Sequence, residues 1–288
     1  MTLNMKTVAV ISAYNNSIEW SLKLLEEKIV DKIYVYSHKN IIHENPFVLK
    51  NELYYYEEIP NKGCEASSYL KYIIDNYNNL PERIILIHDH EFSWHHEGSI
   101  IDLIKKNIIK DVDYININSF YWENIRLIST PEYDCVDEWQ RHRIFYSLYK
   151  HFLEPYYGDL QLFLNFKEGH KGCAQFILRR NCITRNPCKL YVDLYNYCMN
   201  NFKIYGHIAY GFGYFMEYTW HIIFGHIVPL KKIMKGKWKY SSRFVYMNDE
   251  YILCDLRNNN NEWISAQIPI QYEDIIYNDN GIPTMEKT

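Results

Sequence analysis

The chain has 288 residues with 31 Lys and Arg against 35 Asp and Glu, a net charge of −4 and a pI near 6.3. It therefore has no basic field to draw nucleic acid or an anionic membrane, and a polyanion partner is not expected. Hydrophobic residues at 48% and aromatic residues at 17% fit one large globular domain, alone or with an appendage, and exclude a disordered chain.

Thr7 to Ser12 reads as a buried strand, broken by the turn chemistry of Ala13-Tyr14-Asn15-Asn16. Ser17 then predicts an N-cap, and Ile18, Leu22, Leu25 and Ile29 recur at helical spacing before Asp31. Lys32 to Tyr36 returns to strand. A right-handed crossover makes these strands parallel and places residues 13–16 and 37–40 at one edge. Leu53 to Glu57 is a weaker strand, closed by Pro60-Asn61-Lys62-Gly63. From Glu65 to Tyr77, Ala66, Tyr69, Leu70, Ile73 and Ile74 share a helical face, and Leu80-Pro81 stops that helix. Ile84 to Ile87 is an unbroken apolar run expected to be a central strand covered on both faces. A helix near 99–109 and a strand over Tyr114–Asn118 follow. Strands alternating with helices predict an α/β fold, a three-layer sandwich with a mostly parallel central sheet.

Residues 119–155 read as an inserted Trp- and Tyr-rich loop with a helix over Val136–Phe152. Gly172 to Leu178 predicts a strand, and Asn186-Pro187 opens a helix through Tyr191, Leu194 and Cys198. A glycine-punctuated segment, Gly206 to Gly213, leads into a helix from Tyr214 that Gly225 caps. Short β-like runs at Arg243–Met247, Tyr251–Cys254 and Trp263–Ile268, with a turn at Asn258–Asn261, predict a small C-terminal β-meander. The expected division is thus an α/β domain over 1–230 and an appendage over 231–288. The seven cysteines, Cys64, Cys135, Cys173, Cys182, Cys188, Cys198 and Cys254, are scattered without a C-x-x-C pair, as for reduced thiols in a cytosol-like compartment. No signal peptide is expected, nor any run near the roughly 20 apolar residues of a membrane span. A cytoplasmic location follows. The wealth of Asn, Ile, Lys and Tyr is the profile of AT-rich codons, as in a large DNA virus.

Four stretches carry a family resemblance: Asn61-Lys-Gly-Cys-Glu-Ala-Ser-Ser-Tyr-Leu, then His88-x-His90 with Trp94-His95, then Gly172-Cys-Ala-Gln-Phe, then Glu217-Tyr-Thr-Trp220-His221-Ile-Ile-Phe. In this order they resemble domain-of-unknown-function family 3431 over about residues 6–226. His88, His90, Trp94, His95, Glu217, Trp220 and His221 fit its pattern, whereas Asp89 and Glu91 stand where other residues often occur. More distantly, the layout is similar to that of the GT-A nucleotide-sugar glycosyltransferases. Val8–Asn15 stands where that fold receives the nucleobase. Ile84–Glu91 stands where an acidic triplet holds a divalent metal, and Gly213–Trp220 where a helix carries a catalytic carboxylate. This resemblance implies a metal-dependent glycosyltransferase that moves a sugar from a nucleotide-sugar donor to a hydroxyl of a glycan or other acceptor, with the triplet here Asp89-His90-Glu91.

The residues themselves fit that chemistry. His88, Asp89, His90, Glu91, His95 and His96 crowd the carboxyl end of a buried strand, the edge where open α/β sheets bind ligands. Asp89 and Glu91, two apart on an extended end, are expected to point one way and His88 and His90 the other. Hard oxygen ligands suit Mg²⁺ or Mn²⁺, and a nearby imidazole favours Mn²⁺, so Asp89, Glu91 and His90 are the expected metal ligands. Glu217, set among Tyr214, Tyr218 and Trp220, is the candidate base, with His221 one turn on. The plain counterpart is an intrahelical Glu217–His221 pair contributing a few tenths of a kcal/mol. Tyr14, Asn15 and Lys39 are candidates for the donor. Lys62 and Gly63 stand where phosphate would meet a helix N-terminus, and Glu65 either joins them or favours the helix dipole. Trp94, His95 and Trp220 are candidates to stack on or hold the acceptor or sugar, and Arg179 and Arg180 are weaker phosphate candidates.

Two rival readings stand beside this one. A zinc hydrolase would use His88, His90, His95 and His96, although an H-x-H-x-D-H pattern would need Asp at Phe92 and His at Ser93. A non-catalytic carbohydrate-binding protein would use the Trp and Tyr side chains without metal or base. The P-loop, the Rossmann glycine fingerprint and the familiar Ser and Cys hydrolase motifs are absent.

Overall fold

A computed structural model of the chain describes residues 6–94, 96–118, 148–158, 174–201, 207–225, 244–247, 250–257 and 263–267. The chain divides into two compact units, residues 1–120 with 173–225 and residues 121–172 with 226–288. The first unit holds a six-stranded sheet: β1 (Thr7–Ala13), β2 (Lys32–Ser37), β3 (Tyr54–Glu58), β4 (Arg83–His88), β5 (Tyr114–Asn116) and β6 (Phe176–Arg179), in the order β3-β2-β1-β4-β6-β5. β3, β2, β1 and β4 run parallel. β6 is antiparallel to both β4 and β5. The fold is thus α/β with a mixed, mostly parallel sheet, as expected.

Strand alternation sorts the two sheet faces. Ala9, Ile11, Ile33, Val35, Ile85 and Ile87 meet Leu24 of α1 (Leu22–Glu26), Val48 of α2 (Phe47–Lys50) and Ile100, Ile101 and Ile104 of α4 (Ile100–Ile108) in one buried cluster. The other face is set by Ser12, whose hydroxyl lies 2.8 Å from that of Ser68 on α3 (Glu65–Asn76). On that face Tyr34 packs edge-on against Tyr72 of α3, ring centroids 4.9 Å apart. Burying a β-branched or aromatic side chain contributes about 1.5–3 kcal/mol, so both faces hold helices to the sheet.

The chain from β6 continues through α6 (Arg180–Thr184), α7 (Cys188–Asn201) and α8 (His207–Ile223). Gln175, just before β6, is buried; its side-chain oxygen accepts from His88 N–H at 3.3 Å and its amide donates to Asn118 Oδ1 at 2.8 Å. This side chain satisfies a backbone donor beyond the end of the β4–β6 ladder.

The structure departs from the sequence expectations in several elements. The helix expected from Ile18 to Ile29 is a 3₁₀ turn over Glu19–Ser21 followed by the short α1. Lys28 turns left-handed at φ +56, and the N–H groups of Ile29 and Val30 fold back on Leu24 O, ending the helix as a C-cap does. The strand expected from Gly172 starts only at Phe176. The last helix starts at His207 rather than at Tyr214, running through Gly211 and Gly213.

In the second unit, a π-helical turn at Tyr149–Leu153 runs into α5 (Glu154–Tyr157), and Tyr149 OH donates to Gly158 O at 3.0 Å. β7 (Phe244–Met247), β8 (Glu250–Arg257) and β9 (Trp263–Gln267) form the expected antiparallel meander. Residues 136–147 of the expected inserted helix and the turn at Asn258–Asn261 lie outside the described residues.

Candidate functional site at the carboxyl edge of the sheet

β1 has β2 on one side and β4 on the other, so the loops leaving β1 and β4 lie side by side at the carboxyl edge, the edge where open α/β sheets bind ligands. Because these strands are parallel, one edge collects Tyr14–Asn16 after β1, His38–Lys39 after β2, Pro60–Glu65 after β3 and Asp89–Trp94 after β4.

Asp89 joins the two loops. Its side chain is buried at 4% exposure, and its Oδ2 accepts N–H bonds from Tyr14 at 2.8 Å, Asn15 at 3.4 Å and Asn16 at 3.3 Å. Its main-chain oxygen accepts the Trp20 indole N–H at 3.3 Å. His90 does not pair off with His88 as strand alternation predicts, because β4 ends at His88 and the alternation ends with it. Instead its Nε2 lies 3.4 Å from Asp89 Oδ1 and its Nδ1 lies 3.1 Å from the Asn16 side-chain amide nitrogen. An amide NH₂ only donates, so Nδ1 is the acceptor and the ring proton sits on Nε2, facing the carboxylate. Glu91 points to neither of them: Ser99 Oγ–H donates to its Oε1 at 3.1 Å, while Ser99 caps α4 through Ile101 N–H.

Beside these loops, the Lys39 ammonium stands 3.9 Å from the centroid of the Tyr14 ring, and that ring is 40% exposed. An aromatic face and a cation are thus presented together to solvent. Behind them runs a hydrogen-bonded line that sequence reasoning missed. Pro60 O can only accept, so His38 Nδ1, 3.2 Å away, carries the proton. Ser68 then donates to His38 Nε2 at 3.4 Å, and Ser12 to Ser68. Burial lowers the His38 pKa, keeping the ring neutral as this line requires.

The start of α3 packs against α8 through glycine. Gly63 has φ +68, and a Cβ there would lie 2.6 Å from Cys198 Sγ and 2.9 Å from Phe212. A Cβ on Gly213 would meet Cys64 Sγ at 3.2 Å and Gly63 O at 3.3 Å. This close approach brings Glu217 of α8 near Cys64 and Glu65. Burial first, then the charge of Glu217, push the Glu65 carboxyl up to about 8; the same burial, with Glu65 and Glu217, pushes the Cys64 thiol up to about 12. Cys64 is accordingly no ready nucleophile. Glu65 and Glu217 are both partly buried and keep partial exposure.

The sequence profile of the family described as "Protein of unknown function (DUF3431)" matches residues 9–232, from β1 to just past α8. The chain belongs to the DUF3431 family. No curated protein and no solved structure matches it.

In this DUF3431 chain the remaining candidates separate. Trp94 is 65% exposed, with Phe92 beside it at 66%. His95 lies outside the described residues. Trp220 is fully buried, stacked on Phe224 at 5.0 Å between centroids, and so presents no face to a sugar. His221 follows Glu217 by one turn of α8 and is partly exposed. The Lys62 ammonium donates to Met199 O near the end of α7, a cation at a helix C-terminus rather than at a phosphate. Arg179 pairs with Asp111 and lies opposite Arg83, at the amino edge of the sheet, because β6 runs antiparallel; Arg180 beside it donates to Pro81 O. Neither arginine reaches the site edge. His96 is buried with Nδ1 3.1 Å from Gly98 O, and the His88 and His90 ring centroids stand 6.5 Å apart. Among the described residues no three His, Cys, Asp or Glu side chains gather closely enough to hold a metal ion. The donor set of Asp89, His90 and Glu91 does not fit a divalent cation as arranged: Asp89 is taken up by the Tyr14–Asn16 N–H groups and His90, His90 by Asp89 and Asn16, and Glu91 by Ser99.

Proposed function

We propose that this protein is a glycosyltransferase that moves a sugar from a nucleotide-sugar donor to an acceptor hydroxyl. The observation that carries the reading is the Glu65–Glu217 pair at the ligand-binding edge. With the Glu65 carboxyl pushed up to about 8, Glu65 holds a proton at neutral pH, and Glu217 is assigned as the base of the pair. A partly buried carboxylate beside a neutral acid is suited to take the acceptor hydroxyl's proton as the oxygen bonds to the anomeric carbon and the nucleoside diphosphate leaves; such a base contributes about 10²–10⁴ in rate. Tyr14 offers its exposed face to a nucleobase, and Lys39 offers positive charge where the departing diphosphate develops negative charge. Asn15 lies on the same turn, and Trp94 is open to a glycan acceptor. The transfer so proposed uses protein groups alone.

The test is thermal stability against a panel of nucleoside diphosphates and sugar nucleotides, since a ligand of the folded state raises the melting temperature by mass action, followed by turnover of the donor that binds. The expected outcome is a shift with one nucleotide. Glu217→Gln should keep that shift and lose most of the turnover. No shift and no turnover with any donor would end this reading.

A further inference from the structure

The acidic triplet after β4 stands where the GT-A resemblance puts a metal site, yet each of its side chains already has protein partners. Three successive N–H groups of Tyr14, Asn15 and Asn16 converge on Asp89 Oδ2. Such a concave run of backbone donors is an anion cradle, and here the protein's own carboxylate fills it. Oδ1 faces the Nε2 proton of His90, whose other nitrogen is held by Asn16. With one nitrogen accepting and the other protonated, the His90 ring has no lone pair to give a cation. Glu91 is bound to the Ser99 hydroxyl, and its main-chain oxygen accepts the Ile100 N–H at 2.9 Å, which ties it to the start of α4.

We infer that Asp89-His90-Glu91 is a brace and not a cation site. Asp89 is a positioning residue that holds the Tyr14–Asn16 turn in shape, His90 locks Asn16 into the same turn, and Glu91 fixes the following loop to α4. That the braced turn receives a nucleotide rests on the function proposed above; the brace itself does not.

Amide hydrogen exchange and Mn²⁺ titration followed by electron paramagnetic resonance test this without any nucleotide. In the wild type the free Mn²⁺ signal should stay undiminished by stoichiometric protein. Asp89→Ala should speed exchange at Tyr14, Asn15 and Asn16 by on the order of tenfold or more, the scale of losing hydrogen bonds to a charged acceptor. Glu91→Ala should leave those amides unchanged. Asp89→Asn, which keeps an oxygen for the cradle and serves as the second variant if Asp89→Ala does not fold, should retain most of the protection. Stoichiometric Mn²⁺ binding that disappears in Asp89→Asn would overturn the inference, as would unaltered exchange at the turn in a folded Asp89→Ala protein. If the brace holds and no nucleotide binds, the proposed function fails alone.

Discussion

Burial, and after it the charge of Glu217 on α8, keep the carboxyl of Glu65 at the start of α3 protonated up to about pH 8, against an ordinary value of 4.5. Between those two values the unfolded chain has released this proton and the folded chain has not. The unfolded state binds fewer protons there, so stability falls as pH rises through that window and is flat on either side of it. Glu65→Gln removes the titration. Denaturant midpoints measured at about pH 5 and about pH 8.5 should differ for the wild type, lower at the alkaline end, and this contribution should vanish in the variant.

Gly63 leaves no room for a side chain among buried neighbours. An alanine there would hold a left-handed φ and drive its Cβ onto Cys198 Sγ at 2.6 Å, a side chain with no exposure. Gly63→Ala should lose about 2 kcal/mol or more of folding stability in urea. Adding Cys198→Ala should recover part of that loss, giving a coupling that two independent sites would not show.

Asn45 supports the site from behind and is fully buried. It accepts from Ile18 N–H at 2.8 Å and donates to Ile41 O at 3.0 Å and Asn16 O at 3.4 Å. Asn45→Ala leaves three backbone groups without this partner and should cost about 2–4 kcal/mol. Asn45→Asp keeps the shape but turns a carboxylate oxygen towards two carbonyls. It too should be destabilised, and more at neutral pH than in acid, as thermal scans at both would register.

Lys39 should separate stability from binding. Its ammonium over the exposed Tyr14 ring contributes no more than about 1 kcal/mol to folding, so Lys39→Ala should unfold almost as the wild type does. If it meets the donor's phosphates, the same change should weaken nucleotide binding about tenfold by calorimetry, and Lys39→Arg should restore most of the affinity.

The parts of the fold that were legible share one physical signature. β1, β2 and β4 announce themselves as apolar, β-branched runs because a strand covered on both faces has no polar side. α3 and α4 show the 3.6-residue period because only one face of each meets the sheet. The helix after Ser17 misled, since its spacing is helical but the chain leaves at Lys28 to bring Val30 into the core. The Asp89-Glu91 geometry misled for a related reason: alternation holds only while the strand lasts, and β4 stops at His88. Trp220 could not be told from a stacking platform because α8 is apolar over most of its circumference, so no period marks its inner side.

By itself the sequence determined the alternation of strands and helices, the edge at which the polar loops gather, and the membership signalled by the four ordered stretches, all of which depend on local pattern or on residue identity. The tertiary structure alone decided what those polar residues do. It ran β6 antiparallel, which carries Arg179 and Arg180 away from the site. It closed Asp89 onto the Tyr14–Asn16 turn. It also set Glu65 beside Glu217 through the close passage of Gly63 and Gly213. Each of these depends on a contact between residues far apart in the chain, and a carboxylate's partners, burial and proton affinity exist only once that contact is made.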